Sequence, residues 1–388
     1  MDSNTKWMDV EDERTFDETE TRIIHKKLLR KSAKLAEELQ SHAKSKFSDA
    51  FTSWAQSEAK PVSNSNAGKL LQSESILQVA KPKTVAIKKI AQTVVEDSLN
   101  AVVQTIDKAP KEDTFCFAGF DKVLKVMSLG DNKGKHYHLD QSIYLEGLPM
   151  TRAKFVTNDC VLLSFQKKPF VSFLDVATHK NTPIYKLFED KNNVEFVALN
   201  PARTTAVVCT KDAYAMIDTR RKLVTSTAVN GNKITDACFV EDHTLAIANE
   251  HFSVKLFDLR KSSNIPIHVL NTNSSKIAGG NGFLAAGTKT GLVKVFNAHS
   301  DYSLVKTFDQ LTTEITDISM NDSYLAFASK WKKNNVRVAM LNSMKILPGW
   351  PNVKTNLNIV NSLLVDDKDR VLIGTSFGVV HVYQMMNN

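Results

Sequence analysis

The chain has 388 residues, of which 42% are hydrophobic, and a formal charge of +8. That is ample material for a packed core, yet no run of about twenty apolar residues occurs, so no membrane-spanning helix is expected. The acidic N-terminus lacks an apolar signal-peptide stretch, and Cys116, Cys160, Cys209 and Cys238 lie far apart without CxxC spacing, so the expectation is neither secretion, zinc nor disulfides but buried, reduced thiols of the cytosol or nucleus.

Residues 1–69 read as a charged N-terminal extension, partly helical and partly disordered. Residues 1–20 hold eight acidic and two basic side chains. A helix is expected over about 17–47, with Asp17 as N-cap, Glu20 three residues on, and Ile24, Leu28, Leu35 and Leu39 along one face. Lys26, Lys27, Arg30, Lys31 and Lys34 decorate the remainder. Two readings stand side by side: a solvated, marginal helix, or an arm that folds against a partner or RNA. Pro61–Gly68 reads as a linker.

From residue 70 to 388 the chain repeats. Seven apolar-alternating segments close on a large apolar residue and then Asp, Asn or a small polar one. They are Met127-Ser128, Leu174-Asp175, Ile217-Asp218, Phe257-Asp258, Phe296-Asn297, Leu341-Asn342 and Tyr383-Gln384, spaced 39 to 47 residues apart. That period with that ending predicts an all-β fold, a seven-bladed WD-repeat-like β-propeller with four strands per blade. The fifth repeat shows the punctuation: Phe283–Gly287 and Leu292–Phe296 are short apolar runs separated by Thr288-Lys289-Thr290-Gly291. The last repeat lacks an outermost strand, which Ile76–Val79 or Thr84–Ile87 could supply to close the ring.

Motifs for catalysis are poor. Gly130-Asp131-Asn132-Lys133-Gly134-Lys135-His136 is one residue short of a phosphate loop, ends in His, and lies between strands rather than before a helix. His136 and His138 flank Tyr137 on one strand face without a nearby third ligand, so a surface pair is expected rather than a metal site. Asp366-Asp367 falls in a turn. Neither enzyme activity nor a cofactor is expected.

The charge pattern points instead to a surface. Turns between the second and third strands of every blade share one face of a propeller. Here they carry Lys122, Lys167 with Lys168, Lys211, Lys289, and Lys330 with Lys332 and Lys333, so five of seven blades offer lysine to one rim. Trp331 sits inside the last cluster, placed to stack on a base or pack on a partner. Lys-rich turns also serve solubility alone; the other reading is an RNA or acidic-partner surface.

Two stretches carry a family resemblance. The first is Ala118–Val126, followed by Gln141–Leu145 and Leu148-Pro149-Met150; the second runs from Leu311–Asp317 through Leu325–Lys333, Val336-Arg337-Val338 and Gly349-Trp350-Pro351-Asn352 to Val371–Gly374. Over roughly residues 100–385 the chain resembles the WD-repeat family of U3 small nucleolar RNA-associated protein 18. The resemblance implies a non-enzymatic nucleolar scaffold of the small-subunit processome, acting in maturation of the 18S rRNA precursor. It implies as partners other propeller proteins, the U3 ribonucleoprotein and pre-rRNA, in the nucleus and nucleolus and away from membranes. The N-terminal extension of family members can also carry a short Leu-Phe-type motif that recruits the exosome helicase. This chain departs there: Trp7-Met8-Asp9-Val10-Glu11 has only a related order, so recruitment does not follow. A second class stays open, because Ile217-Asp218-Thr219-Arg220 and Phe257-Asp258-Leu259-Arg260 resemble the Asp-x-Arg ending of propellers that serve as cullin-RING substrate receptors.

Overall fold

In a computed structural model, the chain is described at residues 26–27, 30–38, 41, 85–94, 96–130, 137–188, 192–250, 253–261, 265–352 and 355–387. The chain divides into two units, Met1–Val79 and Ala80–Asn388. In the first, residues 26–27, 30–38 and 41 are helical, within the expected span. Asp17, Ile24, Leu28, Leu39 and the Trp7–Glu11 stretch lie outside the described residues.

The second unit is a seven-bladed β-propeller: seven four-stranded antiparallel sheets, six of which take their strands in chain order. The seven inner strands are Val103–Lys108, Met150–Phe155, Phe196–Leu199, Ile234–Phe239, Ser274–Gly280, Asp317–Met320 and Val360–Val365. The seventh blade is sealed by Val85–Gln92, which lies antiparallel to Val380–Asn387, pairing Val85 with Asn387 and Gln92 with His381. Of the two expected closing stretches, Thr84–Ile87 overlaps this strand, and Ile76–Val79 lies outside the described residues.

The repeat endings mark third strands, and their apolar residues are buried: Met127, Leu174, Ile217, Phe257, Phe296, Leu341 and Tyr383 are all 6% exposed or less. Two of them show the packing between blades. Phe257 meets Tyr214 of the preceding blade at 5.9 Å between ring centroids, and Phe296 clusters with Ala246, Val254 and Leu256 of blade four. In several repeats the polar residue that follows caps the next turn. Asp175 accepts N–H bonds from Ala177 and Thr178 (both 3.0 Å), Asp218 from Arg220 (2.9 Å) and Arg221 (3.1 Å), and Asn297 from His299 (3.0 Å). The signature is thus a packing residue joined to an Asx-type turn.

The blades are also laced through polar side chains of the inner strands. Asp107 accepts the Phe155 N–H at 2.8 Å, Asp236 that of Ile277 at 3.1 Å, and Asp317 that of Leu363 at 2.6 Å. Ser319 accepts from Val365 N–H (2.9 Å), Ser275 donates to the Ile315 carbonyl (2.8 Å), and Ser362 donates to the Val103 carbonyl (3.2 Å), the last joining blade seven to blade one. Each bond satisfies a backbone group of an inner strand, or of the connector just before it at Ile315, and spans two blades in doing so. The closing seam adds charge. Arg370 contacts Asp113 (2.9 Å) and Asp366, and its guanidinium lies over Phe115 at 5.2 Å; Lys108 contacts Asp366 and Asp367. Burial works against the Asp113 charge, but hydrogen bonds and charge from Lys368 and Arg370 outweigh it and hold that carboxyl below its ordinary range. Asp366 and Asp367, read as a turn, are therefore also part of the seam that closes the ring.

All four cysteines are free. Cys116 and Cys209 are fully buried, and burial pushes their thiols far above the ordinary range; Cys160 and Cys238 are only partly buried.

Candidate functional site

The turns between second and third strands are fixed by the chain that leads from each outer strand into the next inner one. Leu145 and Val194 in the connectors, and Ile234 at the start of an inner strand, donate their N–H groups to the carbonyls of Lys122 (2.9 Å), Lys168 (3.0 Å) and Lys211 (2.5 Å). Lys122 and Lys167 adopt positive φ (65° and 55°), the left-handed conformation of a tight turn. Lys167 and Lys211 are exposed, whereas Lys122 and Lys168 are half-buried against the turn.

Blade five contributes Lys289, exposed and 3.9 Å from Glu250 of the blade-four turn; Glu250 also pairs with Lys233 of the preceding connector at 3.0 Å. This one carboxylate joins turns of adjacent blades, and it offsets part of the charge there. Exposed ion pairs of this kind contribute little to stability.

Blade six concentrates the signal. Lys330, Trp331, Lys332 and Lys333 are all exposed in one turn, with Trp331 61% accessible. The Lys330 ammonium lies over the Trp331 ring at 5.5 Å, and Lys332 donates to Thr312 Oγ1 at 3.2 Å. The sequence-derived residues therefore divide: four gather on blade six, and Lys122, Lys167 with Lys168, Lys211 and Lys289 are spread one turn per blade. On the helix of the first unit, Lys26, Lys27, Arg30, Lys31 and Lys34 are exposed, and so is Leu35.

Several charged residues carried no turn signal because they sit inside strands. A cavity of about 220 Å³ along the inner strands is lined by Arg152, Lys154, Asp236 and Asp317. Lys276 pairs with Asp236 at 3.3 Å and stands 4.8 Å over the Phe196 ring; burial lowers its pKa despite that partner, and burial raises the pKa of Asp317. A second recess, which shares Arg152 and Asp317 with it, brings Arg152 together with Lys330, so the blade-six cluster reaches the inner strands. An Asp or Lys within an apolar-alternating strand is the signal that could have found these groups.

The Asp-x-Arg pairs behave differently from each other. Arg260 folds back on Asp258 through two 3.0 Å bonds, Nε to Oδ1 and Nη2 to Oδ2, and with that partner the Asp258 carboxyl is held down at about 2. Arg220 instead only donates its backbone N–H to the Asp218 carboxylate, at 2.9 Å. His138 pairs with Asp140 at 3.0 Å on the surface, while His136 and most of the loop from Gly130 lie outside the described residues. Among the described residues, no three His, Cys, Asp or Glu side chains gather as a metal site would require.

No protein-family model matches the chain. It is 25% identical over 306 residues to a U3 small nucleolar RNA-associated protein 18 homolog of Arabidopsis thaliana, covering 74% of this chain and 55% of that protein. It is 21% identical over 346 residues to a probable U3 small nucleolar RNA-associated protein 18 of Schizosaccharomyces pombe, covering 84% of this chain and 65% of that protein. The resemblance carried by the two sequence stretches is borne out, over most of the chain. The chain spans less than two thirds of the length of either relative.

Proposed function

We propose that this chain is a non-enzymatic scaffold in ribosome biogenesis, working in the nucleolus on the 18S rRNA precursor as part of the small-subunit processome. The observation that carries this reading is the similarity, over about three quarters of the chain or more, to proteins named for association with U3 small nucleolar RNA. The fold suits the role. Polar side chains lace the ring blade to blade, so its turns are held on a rigid frame that can present several surfaces at once. Pre-rRNA, the U3 ribonucleoprotein and other propeller proteins are the partners, with the lysine-bearing turns meeting RNA phosphates. The substrate-receptor alternative gains nothing from blade four, where Arg260 is already bonded within its own turn.

Replacing Lys167, Lys168, Lys332 and Lys333 with Gln tests the RNA-facing role. These side chains lie on the surface or half-buried in turns, so the melting temperature should be unchanged. Affinity for single-stranded RNA should fall, and the dependence of log K on log salt should flatten by about 0.7 for each phosphate that is no longer neutralised. An unchanged slope removes the lysine rim from the account and assigns the ring to protein–protein assembly.

A further inference from the structure

Beside the blade-six turn lies a cavity of about 510 Å³, the size of a small-ligand cleft. Its walls come from three places far apart in sequence: the connector after blade six, the turn and third strand of blade seven, and the sealing strand. The connector is tied to the basic turn directly. Asn334, next to Lys333, donates its N–H to the Asn358 carbonyl at 2.8 Å and accepts the Leu357 N–H on its side chain at 2.7 Å.

The wall chemistry is specific. Phe377 stands at the rim 65% exposed, on a turn that carries no lysine. Asn356 and Asn358 add side-chain amides to the lining. Trp350 and His381, 8% and 6% exposed, each hold a buried ring nitrogen, Nε1 and Nδ1, that has no hydrogen-bond partner among the described residues. Both nitrogens are closed off inside the wall, so an occupant of the cavity meets the exposed Phe377 ring and the Asn356 and Asn358 amides rather than these atoms. Burial, with the nearby Lys89 charge adding to it, pushes the His381 pKa down to about 4, so its ring is neutral near pH 7. No carboxylate lines the cavity among the described residues, and its one ammonium there is that of Lys89.

From these features we infer that the cavity takes a single base of a single-stranded RNA whose phosphates run along Lys330, Lys332 and Lys333, an inference that rests on the RNA-contact reading of those turns. Phe377 supplies the stacking face, and every base has one. Asn356 and Asn358 supply paired donors and acceptors for a base edge, as side-chain amides do elsewhere. A basic peptide would find no carboxylate in this cavity among the described residues, and an aliphatic side chain would leave the amides unpaired.

The experiment uses the full chain and fluorescent single-stranded oligonucleotides of about 12 nucleotides, one of uridine and one of adenosine. Phe377→Ala and Asn356→Ala alter exposed side chains, so both variants should melt with the parent. Together they should weaken binding at least about fivefold, the loss of one stacked base. The salt slope should not change, since every lysine stays in place. Photo-crosslinks from 4-thiouridine RNA should map to peptides containing Phe377 or Trp350. Parent-like affinity in both variants, with a lysine-dependent slope intact, overturns the base pocket and leaves the RNA-facing turns standing. Absence of RNA binding by the parent overturns both. If the variants keep RNA but lose a co-purifying protein, the cavity belongs to a peptide and the inference fails.

Discussion

A chain beginning at Ala80 should stay soluble and unfold cooperatively, whereas one beginning at Glu96 should aggregate. The difference is the sealing strand. Val85–Gln92 pairs with Val380–Asn387 along its whole length, with a bulge between Lys89 and Ala91. Just beyond it, Thr93 is buried and exchanges two 3.0 Å bonds with Val380, one through its backbone and one through its hydroxyl. Ala91 is buried, and Ile87 packs on the cluster of Trp350, Tyr383 and Met385. Each ladder bond contributes about 0.5–1.5 kcal/mol net. With the apolar burial, the strand's removal then approaches the roughly 5–15 kcal/mol by which a domain is stable at all. It also bares the edge of Val380–Asn387, a template for pairing with another copy. Light scattering and thermal melts of the two truncations check this. Equal solubility and equal melting would contradict closure by this strand.

Phe296→Ala should destabilise the ring by about 3–5 kcal/mol, the usual result of emptying a large buried aromatic site. The ring of Phe296 fills the space between blades four and five, against Val254 and Leu256, and both blades are already bonded to their other neighbours, so little collapse can refill the gap. Lys289→Ala, seven residues earlier in the same blade, should cost under about 0.5 kcal/mol, because its long ion pair with Glu250 is exposed. Urea unfolding of the two variants separates them. A Phe296→Ala protein as stable as its parent would mean that the third-strand endings are not the packing residues of the ring.

The architecture was readable because each repeat ends on a large apolar residue that must be buried and a short polar one suited to capping a turn. Both demands act within a few residues, so they leave a local trace such as Phe257-Asp258 or Phe296-Asn297. What binds the blades together leaves none. Asp107, Asp236 and Asp317 look like ordinary solvent-side residues of alternating strands, and their partners Phe155, Ile277 and Leu363 lie a full repeat away. The sealing strand was ambiguous for a related reason. Two neighbouring stretches have the same β-forming composition, and only register against Val380–Asn387 distinguishes a strand that continues into the buried Thr93.

The candidate surface divides in the same way. Turn position placed Lys167, Lys211, Lys289, Lys330, Lys332 and Lys333 on the surface, while the backbone bonds at the half-buried Lys122 and Lys168 come from connectors more than twenty residues on. Trp350 belongs to the Gly349-Trp350-Pro351-Asn352 stretch that carries the family resemblance, yet its neighbours at the cavity, Phe377 and His381, belong to another blade and carry no signal of their own.

The RNA that travels with the intact chain tests the scaffold account most directly. Full-length protein captured from nuclear extract, with bound RNA sequenced and bound proteins identified, should be enriched in U3 small nucleolar RNA and unprocessed 18S precursor, alongside other propeller proteins. Recovery of a cullin adaptor with neither RNA enriched would contradict it, and would move the chain to the substrate-receptor class.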